Sequence, residues 1–313
     1  MTNDVYCYGM ISPSTLYVLR EGVAFPKPNT YAEIQRSLPS IGGEAANSAI
    51  VLAKLGLRTR LDGNWIGRRN AEKVKSTLAG FGIDVSRLTV ADDFGTEEIV
   101  IADSESRTVF GNYAAFHAGP RQWNEPQAED IEAAAIVCLD PYFREESRLA
   151  AELCVTHGKP YVTLDSPYDG FVAQNAAAVV ISHELRDQSY PGRDMRKVFG
   201  SYIDACRGLV IFTFGSDELW YQRRGLPLVK YRPYAIEPVD TTGAGDSFRG
   251  AIAYGLLQGW TDSRTIDFAS AVAACVCLTL PHTLNAPDLD GVLAFMEQNR
   301  DRKPGWPEAR PVR

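Results

Sequence analysis

DTTGAGDSF, residues 240–248, joins a glycine turn to a carboxylate and runs into an apolar stretch, FRGAIAYGLLQG, that starts at Phe248. Gly243 and Gly245 let the backbone turn and approach a ligand closely, and the apolar run predicts a helix over residues 246–258. The unpaired amides of such a helix's first turn form a ready site for an anion. Asp246 sits among those donors. A carboxylate there can take the proton of an attacking hydroxyl while Gly243, Ala244 and Gly245 hold the charge that develops on a transferred phosphoryl group. Taken by itself, the segment also reads as an acidic helix cap beside a glycine loop.

A second stretch, GGEAANSAIVLAKLG at residues 42–56, places two glycines before a helix with Ala45, Ala49, Leu52 and Ala53 on one face and Gly56 as its stop. A GGxxxNxA segment near the start, followed by DTTGAGDxF near residue 240, resembles the two signatures of the ribokinase-like, or PfkB, carbohydrate kinase family. The resemblance spans almost the whole chain. It implies a three-layer α/β/α fold with a mostly parallel central sheet. A single kinase domain would cover residues 1–300, with a small β lid from about 14–37 and 95–117. It also implies ATP-dependent phosphorylation of a hydroxyl, a primary alcohol, on a sugar or sugar-derived molecule.

In that family Asp246 matches the catalytic base, and Gly243, Ala244 and Gly245 match the anion hole. Gly42, Gly43 and Asn47 match positions that contact the phosphate acceptor, although Asn47 alone reads as a helix-surface amide. Asp240 and Thr242 match residues that hold an activating monovalent cation such as K+ in many members; their plainer reading is turn capping. TFGSDELWY resembles the strand and turn beside the nucleotide phosphates, but its usual last glycine is Glu218, so only Thr213 and Gly215 carry over. Mg2+ would bridge the ATP phosphates, and the family is further expected to form a homodimer through the lid.

Three positions depart from the pattern. The acid that usually ends the first strand and binds two sugar hydroxyls is Ser14, which can still donate and accept but loses the bidentate hold on a diol. An acidic dipeptide is replaced by Arg68 and Arg69, which either bind an anionic group of the substrate or line a solvated loop. The Asn-x-x-Glu that helps position the metal becomes ISHELRD, with Ser182 in the Asn place and Glu184 one residue out of register. Glu184 is expected near the metal, or else as an ordinary carboxylate at a helix start.

Composition fits an enzyme acting on small molecules. With 313 residues, 45% of them hydrophobic and 23% charged, the chain can bury a large core. A net charge of -7 offers no long-range attraction to nucleic acid or an anionic membrane. No basic and apolar leader is visible, and no apolar run reaches the roughly 18 residues of a membrane span, so a cytoplasmic location is expected. The six cysteines read as reduced core residues; Cys275 and Cys277 form only a CxC on a helix, where i and i+2 do not face each other. The four histidines show no metal-ligand spacing, and neither GxxxxGK[ST] nor GxSxG occurs.

Apolar runs starting at Val5, Ala134, Pro160, Ala177 and Gly208 predict strands, and helices are predicted at 44–56, 70–81, 144–157, 193–206, 246–258 and 264–279. Such alternation predicts a mostly parallel sheet covered on both faces. Residues 16–21 and 97–113 alternate like half-exposed strands instead, matching the lid of the resembled family, whose closure would exclude water. The tail at 301–313 is polar and Pro-rich and is expected to pack loosely. Two alternatives remain beside the sugar kinase: a nucleoside kinase of the same fold, and a non-catalytic small-molecule-binding protein that has kept it. The intact Asp246 argues against the second.

Overall fold

The apolar runs form strands Val5–Gly9, Ile136–Leu139, Tyr161–Leu164, Ala178–Ile181 and Leu209–Phe212 in a computed structural model that describes residues 3–92, 95–103 and 107–300. Each of these strands is buried from end to end, as strands covered on both faces must be. They pair in parallel within an eight-stranded sheet, with Thr59–Gly63 parallel at one edge and the antiparallel strands Leu219–Gln222 and Val229–Tyr231 at the other. Thr59–Gly63 lacks an apolar run because its polar side chains are satisfied in place. Arg60 pairs with Asp84 at 2.7 Å, and Asp62 Oδ2 accepts from the Tyr6 hydroxyl at 2.8 Å.

Alternation along the strands splits the core into two layers. Val5, Cys7, Ile136 and Cys138 face helices Glu44–Lys54, Ala244–Leu257 and Asp262–Cys277. Tyr6, Tyr8, Val137 and Leu139 face helix Arg144–Thr156, while Val179, Ile181, Val210 and Phe212 lie under Met195–Ala205. The architecture is therefore α/β/α. All six cysteines are free and buried, Cys275 and Cys277 included. Among the described residues no helix is long and apolar enough to cross a membrane.

A second sheet has four strands, in the order Ile34–Gly42, Ser12–Leu19, Glu98–Ala102 and Arg107–Gly111. Segments 16–21 and 97–113 supply three of them. Ile34–Gly42 is hidden in the sequence because its first residues are mostly exposed and polar. Leu16, Val100 and Ala102 pack on one face of this sheet together with Leu280 of the main body. Register places Ser12 opposite Gly42, and Ser14 between Ser40 and Glu98. The expected tail at 301–313 lies outside the described residues.

Candidate active site

Val5–Gly9 has Thr59–Gly63 on one side and Ile136–Leu139 on the other, so connections leave it in opposite directions and open a crevice at the carboxyl ends of the strands. Asp140 follows Ile136–Leu139 there, and its Oδ2 accepts from Met10 N at 2.7 Å. Its partner is Arg249, and both side chains are wholly buried. Arg249 also donates through Nη2 to Glu44 O and to Ser48 Oγ, each at 2.7 Å. One guanidinium thus ties the start of Glu44–Lys54 to the start of Ala244–Leu257 and to the central sheet.

Both helices begin on a glycine, Gly43 and Gly243. Gly243 has φ 71°, the left-handed region that glycine enters freely, and a Cβ there would come within 3.2 Å of Asn47 Nδ2 and Thr283 Cγ2. The two helix starts therefore meet closely. Asn47 Nδ2 donates to Asp246 Oδ2 at 2.8 Å. Thr283 Oγ1 donates to Asn47 Oδ1 at 2.9 Å, which fixes the way the amide points. Behind Thr283, His282 Nδ1 is 3.1 Å from the Thr283 hydroxyl and its Nε2 is 2.9 Å from Ser40 Oγ. Because Thr283 gives its hydrogen to Asn47, the directions assign the ring hydrogen of His282 to Nδ1 and make Nε2 the acceptor from Ser40. Burial keeps this ring neutral by holding its pKa below the usual histidine range.

Asp246 itself is partly exposed, in the first turn of its helix. Burial pushes its carboxyl above the usual aspartate range, against the opposing pull of Arg249 and of the Asn47 hydrogen bond. The amides of Gly245 and Asp246 have no carbonyl four residues back within the helix. Ala244 N–H turns to Thr241 O at a long 3.4 Å. Asp240 Oδ1 accepts from Thr242 N at 2.9 Å, so the turn-capping reading is realised, yet Asp240 Oδ2 is buried without a hydrogen-bond partner. Arg107, from the small sheet, donates through Nη1 to Thr242 Oγ1 at 3.2 Å.

Gly42 ends its strand against Glu98, and a Cβ on Gly42 would overlap Glu98 Oε1. The Tyr113 hydroxyl donates to Glu98 Oε2 at 2.6 Å. Gly42, Gly43, Asn47, Asp240, Thr242, Gly243, Ala244, Gly245 and Asp246 are thus gathered, with Ser14 alongside Glu98. Other expected residues stand apart. Glu184 is exposed and pairs with His183 at 3.3 Å, in the first turn of His183–Ser189. Ser182 caps that helix and donates through Oγ to Asp165 Oδ2 at 2.8 Å, and Asp165 lies within electrostatic reach of Asp246. Thr213 and Gly215 lie past Leu209–Phe212 on the same carboxyl edge, where Thr213 N donates to Ile181 O at 2.9 Å. Arg68 and Arg69 are exposed at the start of helix Arg68–Gly80, and Arg68 pairs with Asp92. The cation that does reach the crevice is Arg107.

Comparison with known proteins bears on the family and the fold. The model of the pfkB family carbohydrate kinases matches residues 188–288, which include the 240–248 segment. A nucleoside kinase from Methanothermobacter thermautotrophicus is 30% identical over 280 residues, 84% of this chain and 87% of that protein. A 5-dehydro-2-deoxygluconokinase from Geobacillus thermodenitrificans is 24% identical over 292 residues, 84% of this chain and 86% of that protein. The solved structure of Arabidopsis thaliana ribokinase complexed with ribose and ATP shares the fold at a TM-score of 0.77 and 19% identity, covering 95% of this chain and 99% of that one. With this relative at 30% identity and the shared fold, the chain belongs to the ribokinase-like, or pfkB, family of carbohydrate kinases.

Proposed function

We propose that the protein is an ATP-dependent kinase that transfers the γ-phosphoryl group to a hydroxyl, a primary alcohol, of a sugar, sugar-derived molecule or nucleoside. The observation that carries this reading is the pairing of Asn47 with Asp246 at the meeting of two glycine-capped helix starts. There the Asp246 carboxylate lies beside first-turn amides. An acceptor hydroxyl lying against Gly42, Gly43 and Asn47 gives its proton to Asp246, and its oxygen attacks phosphorus as the bond to the leaving ADP oxygen breaks. The Gly243, Ala244 and Gly245 backbone holds the charge on the transferring group. Arg107 adds a cation from the small sheet, which acts as a lid that excludes water.

Asp165 and, at the start of the next helix, Glu184 would supply the hard oxygen donors for a Mg2+ that, when bound, would neutralise charge on the ATP phosphates. The Asp240 carboxylate, with one buried oxygen lacking a partner, suits K+ beside the anion hole. Thr213 and Gly215 border the nucleotide. A nucleoside acceptor is the second reading, favoured by the 30% identity to a nucleoside kinase. We read residues 1–300 as one kinase domain. The exposed Ile34, Ile99 and Phe110 of the small sheet support a homodimer through the lid, and the free cysteines suit a reducing cytoplasm. Incubation with Mg-ATP and a panel of sugars, sugar acids, polyols and nucleosides tests the reading: one class should yield a phosphorylated product together with ADP. If ADP never accumulates in an acceptor-dependent way, the protein is not a kinase of this kind.

A further inference from the structure

The wall of the crevice contributed by the small sheet is polar and incompletely satisfied. Ser12 and Ser14 are almost wholly buried, Ser12 beside the Tyr113 hydroxyl and Ser14 beside the Glu98 carboxyl, and neither makes a hydrogen bond of good geometry. Buried hydroxyls of this kind are rare without a ligand or water to complete them. Both belong to strand Ser12–Leu19 two residues apart and so project from the same face. Ser14 stands opposite Glu98 in the register and Ser12 opposite Gly42; burial raises the Glu98 carboxyl above the usual glutamate range, against the pull of Tyr113, Ser14 and Arg107. Glu98 occupies the space that Gly42 leaves, takes one hydrogen bond from Tyr113, and lies within electrostatic reach of Asp246. One carboxylate, two buried serine hydroxyls without a well-formed bond and a phenol thus line a single patch next to the proposed base.

Resting on the kinase reading above, we propose that Glu98, flanked by Ser12 and Ser14, holds neighbouring hydroxyls of the phosphate acceptor and selects a neutral polyol, sugar or nucleoside over an acceptor with an anionic group at that end. A carboxylate accepts hydrogen bonds from hydroxyl donors at several lone-pair positions, and the serines can either donate or accept. The same carboxylate, with no cation among its direct partners, repels a carboxylate or phosphate placed against it. Arg107 donates to Thr242 at 3.2 Å and also lies within electrostatic reach of Glu98, between the transfer end of the crevice and the patch.

The test is calorimetric binding and, in parallel, phosphoryl transfer by the full chain and by Glu98→Gln, which keeps the shape and the Tyr113 contact. The probes are ribose, fructose, adenosine and inosine, with gluconate and ribose 5-phosphate as anionic counterparts. Wild type should bind at least one neutral probe more tightly than the anionic ones. Glu98→Gln should weaken that binding about tenfold to a hundredfold, leave ATP affinity and the melting temperature unchanged, and narrow the preference against anions. Ser14→Ala should weaken it less. Neutral binding within twofold of wild type in Glu98→Gln overturns the inference even if the kinase reading stands. So does a wild type that binds only the anionic probes, or none. Absence of turnover together with Glu98-dependent binding would instead fail the kinase reading and keep the pocket.

Discussion

Asn47 Nδ2 and Asp246 Oδ2 lie 2.8 Å apart although 199 residues separate them in the chain, and the bond links the first turns of two helices. The amide's other end is held by Thr283, so Asn47 can present only its NH2 group to the carboxylate. That arrangement orients the carboxylate and favours its charged form, while burial of the same group works the other way.

Replacing Asp246 with Asn keeps the shape and removes the proton acceptor. Turnover on the active substrate should fall by about 10² to 10⁴ while the KM for ATP changes little. The pH dependence has a definite sign. A base must be deprotonated, and burial raises the Asp246 pKa in the free protein, so kcat/KM should fall on acidification through a midpoint above the ordinary aspartate value of 3.8. A steady-state profile with no acid limb above that value, or turnover in the Asn variant within a few-fold of wild type, would remove Asp246 from the base role.

The parts of the site legible in the sequence are the local ones. DTTGAGD and GGEAAN each write a glycine, a helix start and a polar side chain into a few consecutive residues, and the five buried strands announce themselves by unbroken apolar runs. Glu98, Arg107, His282 and Thr283 are different. Nothing near Glu98 in sequence marks it, because its place depends on the register of Ser12–Leu19 against Glu98–Ala102. Thr283 meets Asn47 across 236 residues, and Arg107 meets Thr242 across 135. Arg68 and Arg69 looked equally available as anion ligands, but at least Arg68 spends its charge on a surface pair with Asp92.

Potassium should activate the enzyme. Asp240 uses one oxygen to cap its own turn and keeps the other buried and unpaired, a position that a monovalent cation would complete and that would order the neighbouring amides. At constant ionic strength, rates in K+ should exceed those in a large organic cation. Equal rates in the two salts would mean that Asp240 acts only as a turn cap and that the nearby positive charge comes from Arg107.

Arg249 should be required for stability before it is required for chemistry. Its partner Asp140 and the guanidinium are both fully buried, and removing one member of such a pair strands the other charge in a low-dielectric interior. Arg249→Ala is expected to lower unfolding free energy by about 3 to 5 kcal/mol, read from denaturant titration. Replacing both residues with apolar ones of similar volume should recover much of that loss, because no uncompensated charge is left. A double variant as unstable as Arg249→Ala would point to the hydrogen bonds of Arg249 to Ser48 and Glu44 as the main contribution.

Moving the pocket's carboxylate from position 98 to position 14 provides the last test. Ser14 is almost wholly buried beside Glu98, so Ser14→Asp alone places two acids side by side, one of which must take up a proton or be strained. Acceptor binding should therefore weaken in the single variant, by about tenfold if one charge-assisted hydrogen bond is lost. In Ser14→Asp combined with Glu98→Gln the like-charge conflict disappears while one carboxylate still faces the acceptor from the neighbouring strand. Binding of a neutral sugar should then recover to within a few-fold of wild type, above either single variant, and the two changes should be strongly non-additive. Additive losses across that cycle would show that positions 14 and 98 do not share a ligand, and the acceptor would have to be held from the Gly42, Gly43 and Asn47 side alone.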